Sequence, residues 1–253
     1  MIVSPHGFLL LCVIASLNAL SFTAQAGCND PAERRVNWLR CDKQGVDLRG
    51  ADLREAVLSR ANFENADFTG ARLAGADLGR SKLQKADFSG ALMIGVRMVG
   101  ATLNEAQFTG ATMDHARLER ADLVKANFSK ANISEGQMYQ ADLSDANLSG
   151  AILRSANLSQ AELSYAIFTN ADLSNADLTR AVMEGVSFKD AVLHGAQLDN
   201  SNLIGADFAG ADLSEADLHG ARIDNADFSG ARLDSAIWID RRRCRPGSVG
   251  ECL

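Results

Sequence analysis

Histidine is scarce in this chain, four in 253 residues, and the scarcity removes one class of chemistry at once. His6, His115, His194 and His219 stand far apart, and none has a second histidine at metal-ligand spacing. There is no G-x-x-x-x-G-K-[ST] loop for phosphates, no G-x-S-x-G elbow for a serine nucleophile and no C-x-x-C pair. The motifs that commonly announce nucleotide hydrolysis, acyl transfer or a thiol centre are therefore missing. The sequence leads to no catalytic, cofactor-binding or metal residue, and no cofactor is expected. A membrane-spanning run is missing too: the mostly apolar stretch Phe8 to Leu20 is too short to cross a bilayer.

What is present is repetition. From Val46 to Asp240 the chain runs through 39 consecutive pentads without an insertion or a deletion. Ala66 to Gly70 reads ADFTG, Ala86 to Gly90 reads ADFSG, and Ala141 to Asp145 reads ADLSD. All 39 third positions are apolar, and 33 of the first positions are Ala; the exceptions are Val46, Ser81, Val96, Gly136, Val186 and Ser201. A period of five fits no helix, because each pentad would rotate its apolar residue by roughly 140° around the axis. It fits no straight strand either, because an odd period sends alternate pentads to opposite faces. The chain must turn once per pentad. The first and third residues then point inward, the second outward, and the fourth and fifth form the corner, where Gly supplies a positive φ and Asn tolerates one.

The phenylalanines set how many pentads close a coil. Phe68, Phe88, Phe108, Phe128, Phe168, Phe188, Phe208 and Phe228 recur at intervals of 20, with Leu148 filling the one gap; only Phe63 is off this ladder. The corner glycines from Gly50 and an outward Ser/Thr row from Thr69 keep the same period. Four pentads per turn make a four-sided solenoid of nearly ten coils, a rod of about 47 Å at strand spacing. An isolated coil should not be stable, so neighbours must stack.

These A(D/N)LXX pentads resemble the pentapeptide-repeat family over about three quarters of the sequence. The resemblance implies an all-β fold, a right-handed quadrilateral β-helix of about ten coils; the residues themselves give four sides but no hand.

The flanks read differently. Phe8 to Leu20 followed by Ala24-Gln25-Ala26 has the form of a secretory signal, with cleavage expected after Ala26 and a periplasmic or secreted product. The membrane is then met only through that segment. Residues 27–45 form an N-terminal cap of degenerate repeats, residues 46–240 the solenoid, and residues 241–253 a C-terminal cap or tail. Beyond the signal, Cys28, Cys41, Cys244 and Cys252 all lie outside the strict pentads. An even number in an exported chain favours disulfides. A rod of that length keeps the two ends far beyond the roughly 7 Å Cα limit, which leaves Cys28–Cys41 and Cys244–Cys252. Trp38 and Trp238, 200 residues apart, are expected to plug the two ends of the core. Arg241 and Arg243 fall on inward slots that cannot accept them, so the cluster Arg241 to Arg243 reads as a solvated stop.

Net charge is −7, unevenly spread. Residues 46–140 carry 12 acids and 12 bases, whereas residues 141–240 carry 16 acids and 5 bases. Asp207, Asp212, Glu215, Asp217 and Asp227 are candidates for an acidic docking face toward a basic protein partner. Asp122, Asp142 and Glu162 would stack on one side as a solvated acidic stripe. The expected function is a non-enzymatic exported scaffold that binds another protein, with no direct contact to nucleic acid. The resemblance implies a second function, that of an acidic DNA mimic acting on a type II topoisomerase such as gyrase. The export signal and the lack of an apolar C-terminal dimerisation segment speak against it.

Overall fold

The computed structural model describes residues 27–253; the expected signal and its cleavage site lie outside them. Among the described residues there is no helix. Each pentad makes one extended step and one turn, and every second-position residue pairs in parallel with the residue 20 further on, from Asn37 with Val57 to Asp217 with Ile237. Four steps and four turns therefore separate one level from the next. The chain is a β-helix.

Five amide groups per pentad must find acceptors, and the pentad Ala86 to Gly90 shows where they go. The Asp87 amide donates one level down, to Ala66 O at 3.0 Å. The Phe88 and Gly90 amides donate one level up, to Gln107 O at 2.7 Å and Thr109 O at 2.9 Å. The Ala91 amide closes the turn onto Phe88 O at 3.0 Å. Only the fourth amide, of Ser89, lacks a backbone acceptor, and the Asp87 carboxylate takes it at 2.8 Å. The same local bond recurs along the rod, for example from the Ser129 amide to Asn127 Oδ1 at 3.0 Å and from the Thr179 amide to Asp177 Oδ1 at 2.9 Å. Asp or Asn holds the second position because its short side chain completes the turn.

The corner is stricter than the composition suggests. Every fifth residue from Arg35 to Ser235 has a positive φ, whatever its type: Lys125 at 60°, Tyr165 at 60°, Gly110 at 64°. Glycine relieves strain there, but stacking imposes the conformation on Arg, Lys, Glu and Tyr alike.

Inside, the first and third residues form one apolar column system that excludes water along the rod. The Phe rings stack at 4.7 Å (Phe68–Phe88), 5.1 Å and 4.5 Å up to Phe128. They resume at 5.0, 5.2 and 4.9 Å from Phe168 to Phe228. Leu148 is buried in the gap, and Phe63 lies edge-on to Phe68 at 5.3 Å. Three exceptions to Ala at the first position have surroundings of their own. A Cβ at Gly136 would sit 2.7 Å from Cγ2 and 2.9 Å from O of Ile133, so an Ala there would require Ile133 to shift. Buried Ser81 and Ser201 donate their hydroxyls to Leu58 O at 2.8 Å and Leu198 O at 2.6 Å.

The two ends are finished in different ways. At the first, Trp38 is buried, its Nε1 donates to Asp30 O at 3.2 Å, and Lys43 Nζ stands 4.1 Å over its ring. The Cys28–Cys41 disulfide, Cα atoms 5.4 Å apart, ties the leading loop to this level. At the far end the pentads stop after Asp240 and Arg241 to Arg243 are exposed, but the chain does not end there as a free tail. The chain leaves the pentad phase after Asp240, reverses and pairs antiparallel with the last level, Ile237 with Arg243 and Arg232 with Val249. The Trp238 amide donates to Arg242 O at 2.8 Å and the Cys244 amide to Ala236 O at 2.8 Å. Arg241 and Arg243 are exposed rather than forced inward. The Cys244–Cys252 disulfide, Cα atoms 4.9 Å apart, closes the flap, and buried Ser248 donates to Arg245 O at 2.8 Å beneath it. Trp238 meets Phe228 at 5.2 Å but is only half-buried, so the flap, not this ring alone, covers the end.

Candidate functional site

Successive pentads occupy successive sides, and this decides which candidate residues meet. Asp207 and Asp227 pair on one side; Asp212 and Glu215 belong to the next, and Asp217, which pairs with Gln197, to the one after. The five acids thus ring three sides of the last coils and do not form one flat face. Four of them also serve the turns. Asp207 accepts the Ala209 amide at 2.9 Å, Asp217 the His219 amide at 2.8 Å and Asp227 the Ser229 amide at 2.8 Å. The Ser229 hydroxyl and amide hold the Asp227 carboxyl below its usual range. Burial pushes Asp212 upward, but the Ser214 hydroxyl and amide, with Arg232 and His194 nearby, outweigh it and leave the group lowered. Glu215, exposed at a corner with φ 61°, is the member outside the second position.

A Ser, a His and an Asp do converge at this point, which sequence reasoning missed because they belong to different coils. His194 Nδ1 lies 2.9 Å from Ser214 Oγ, which donates to Asp212 Oδ1 at 2.6 Å. The order is wrong for a nucleophile: the hydroxyl proton is directed to the carboxylate, and the imidazole stands behind the serine as its donor. Ser144 on Asp142 and Ser174 on Asp172 repeat the Ser–Asp bond without a histidine, at 2.6 Å each. The cluster belongs to the turn pattern.

Asp122, Asp142 and Glu162 do stack on one side through consecutive pairings. Asp122 accepts from Asn104 Nδ2 at 2.6 Å, and Glu162 from the Ser164 hydroxyl at 2.8 Å. Among the described residues no three His, Cys, Asp or Glu side chains are arranged to share a metal ion.

In the first half five of the twelve acids, Asp47, Asp52, Glu55, Asp67 and Glu119, pair with arginine. Arg49 binds Asp47 at 2.6 Å, Arg54 binds Asp52, and Arg117 binds Glu119 at 2.9 Å. The Arg49 guanidinium holds the Asp47 carboxyl at about 2, and Arg54 does the same for Asp52, also at about 2.

The pentapeptide-repeat family model matches eight copies, across residues 44–75, 71–106, 101–136, 141–180, 166–203 and 201–237. No curated protein matches the chain in sequence. Among solved structures, the pentapeptide repeat protein HetL of Nostoc sp. strain PCC 7120, involved in heterocyst differentiation regulation, is 31% identical over 81% of this chain and 94% of its own, with a TM-score of 0.39. A trypsin-treated variant of QnrB1, a plasmid-mediated fluoroquinolone resistance protein, is 21% identical over 72% of this chain and 88% of its own, with a TM-score of 0.55. Rfr23, a pentapeptide repeat protein of the cyanobacterium Cyanothece 51142, is 40% identical over 42% of this chain and 62% of its own, with a TM-score of 0.22. The likeness to QnrB1 is one of fold. With the family model covering most of the repeat region and HetL matched over nearly its whole length, this chain belongs to the pentapeptide-repeat family.

Proposed function

We propose that the chain is a right-handed quadrilateral β-helix of about ten coils, exported by its N-terminal segment with cleavage after Ala26, that works as a non-enzymatic scaffold for another protein. One observation carries this reading. A coil stapled at both ends presents long repetitive sides, and all the excess negative charge of its 39 pentads falls in residues 141–240. Charge concentrated on a rigid support steers and registers a partner of opposite sign. Because the acids ring three sides, the partner is a basic surface that wraps the rod rather than one that lies flat on it. Affinity capture from a periplasmic extract tests the reading. The triple variant D212N, E215Q and D217N should lose the captured protein while its melting temperature stays unchanged, because Asn still accepts the turn amide. Capture undiminished by the triple variant would remove the acidic surface from the account. Intact-mass analysis of the exported protein should give a chain beginning at Gly27.

A second reading is supported by the likeness in fold to QnrB1, a fluoroquinolone resistance protein, together with the acidic balance of the pentads. In it the rod mimics DNA toward gyrase. Inhibition of gyrase supercoiling by the purified protein, with recovery of a chain that keeps Met1 from the cytosol, would replace the scaffold reading with this one.

A further inference from the structure

The first half of the rod is neutral in sum, but its charge is not evenly laid out. At one corner the fifth residues of successive levels are Arg40, Arg60, Arg80, Gly100 and Arg120. Levels at this corner are one pairing apart, as Val57 with Asp77 and Asp77 with Arg97 show, so the guanidiniums rise in a column at roughly 4.8 Å per level. Of the arginines in residues 46–140, Arg49, Arg54 and Arg117 pair with acids. Among the described residues Arg40, Arg60, Arg80 and Arg97 form no ion pair. Asp77 stands among them, yet its carboxylate accepts the Gly79 amide at 3.0 Å and bridges to none of them.

Glycine opens the surface here. Corner side chains lean up one level: Arg120 Nε reaches Gln140 at 3.2 Å, and Arg80 Cγ lies 3.7 Å from where a Cβ on residue 100 would be. Gly100 has no side chain to lean further, and Gly79 adds none to the wall below. The result is a recess of about 320 Å³ walled by Arg60, Arg80 and Arg97 with Ser59, Asp77 and Val99. Exposed Leu39 and Val57 stand beside the same column.

We propose that this corner docks an acidic segment of a protein partner, its carboxylates held by Arg60, Arg80 and Arg97. Unmatched guanidiniums one level apart repel each other, and a carboxylate chain relieves that repulsion while accepting forked hydrogen bonds. Arginine mixed with apolar residues is the composition of a protein interface. Base stacking would need aromatic platforms, and the outward positions from Arg40 to Gly100 hold none. The inference rests on the scaffold reading and extends it: the rod offers a basic corner in its first half and an acidic girdle in its second.

Fluorescence anisotropy of a labelled oligoglutamate peptide at low salt tests this directly. The wild type should bind, and the double variant R60Q/R80Q should bind about tenfold more weakly or worse. R154Q, which removes an arginine paired with Asp172 elsewhere on the rod, should match the wild type. D77N should bind more tightly. The altered arginines are exposed and Asn in place of Asp77 can still accept the Gly79 amide, so each variant should melt with the wild type. No binding, binding unaffected by R60Q/R80Q, or tighter binding of oligothymidylate would overturn the proposal. The outcome is separable from that of the scaffold reading. Partner capture that survives R60Q/R80Q together with unchanged peptide affinity sinks the basic corner alone. A wild type that captures no partner sinks the scaffold and leaves the peptide result to decide the corner.

Discussion

The second residue of each pentad carries the most structural information for its size. Asp87 accepts the single amide of its pentad that the backbone leaves without an acceptor. Replacing it with Asn should leave stability nearly unchanged, whereas Asp87→Ala should cost about 0.5–1.5 kcal/mol; chemical denaturation of the two variants checks the difference. The corner residue works the other way. Lys125 is exposed and held at φ 60°, so Lys125→Gly should stabilise by about 1 kcal/mol, read in the same assay. The ion-paired acids set a pH limit. Asp47 and Asp52 have folded values of about 2 against a usual 3.8, so their contribution is complete above that usual value. It is lost as pH falls through the range between the two. Melting temperature should therefore decline from pH 4 toward about pH 2, and less in a D47N/D52N variant. Both carboxylates are exposed, so the effect is small and fades at high salt.

At the scale of the coil, the 20-residue period is legible in the sequence itself, because one side carries the Phe ladder. The rings of Phe108 and Phe128 stack 4.5 Å apart and fully buried on this side. Phe128→Ala should cost about 3–5 kcal/mol, seen as a shift in denaturation midpoint; a loss below about 1 kcal/mol would mean the column relaxes around the gap. The inward and outward positions are legible as well. The reason for Asp or Asn at the second position is not, since a side chain that caps a turn and one that merely faces water look alike in sequence. The exceptions at Gly136, Ser81 and Ser201 are visible as breaks in the pattern. What surrounds them, Ile133 against Gly136 and two carbonyls taken by the serines, exists only once the coil is closed. The C-terminal flap is hidden for another reason. Residues 241–253 have no repeat to read, and an antiparallel return cannot be inferred from a parallel coil. Cys252→Ser should free the flap, exposing the unpaired top edge at Arg232 and Ile237; faster amide exchange at Leu233 and Trp238 is the expected sign.

Across the whole molecule, repetition determines the fold and obscures the function. Asp, Asn and Ala are demanded by every pentad, so they say little about any site. The acidic residues near the end, Asp207 to Asp227, stand out by the charge excess of residues 141–240 and not by their side of the coil. They scatter over three sides because five residues advance the chain by one side. The unmatched arginines at Arg60, Arg80 and Arg97 are hidden by the opposite effect: a neutral total for residues 46–140 conceals which bases have partners and which lack them. Surface function in such a rod follows from register around the coil, and register is a property of the 20-residue unit. Thermal unfolding of two deletions tests that unit most directly. Removing residues 141–160, a whole coil that includes Leu148, should bring Phe168 onto Phe128 and give a cooperative transition close to that of the full chain. Removing only residues 141–145 should lower the melting temperature further, although fewer residues are lost, because every level above turns by one side and the Phe column is broken. A five-residue deletion tolerated as well as the twenty-residue one would contradict the account.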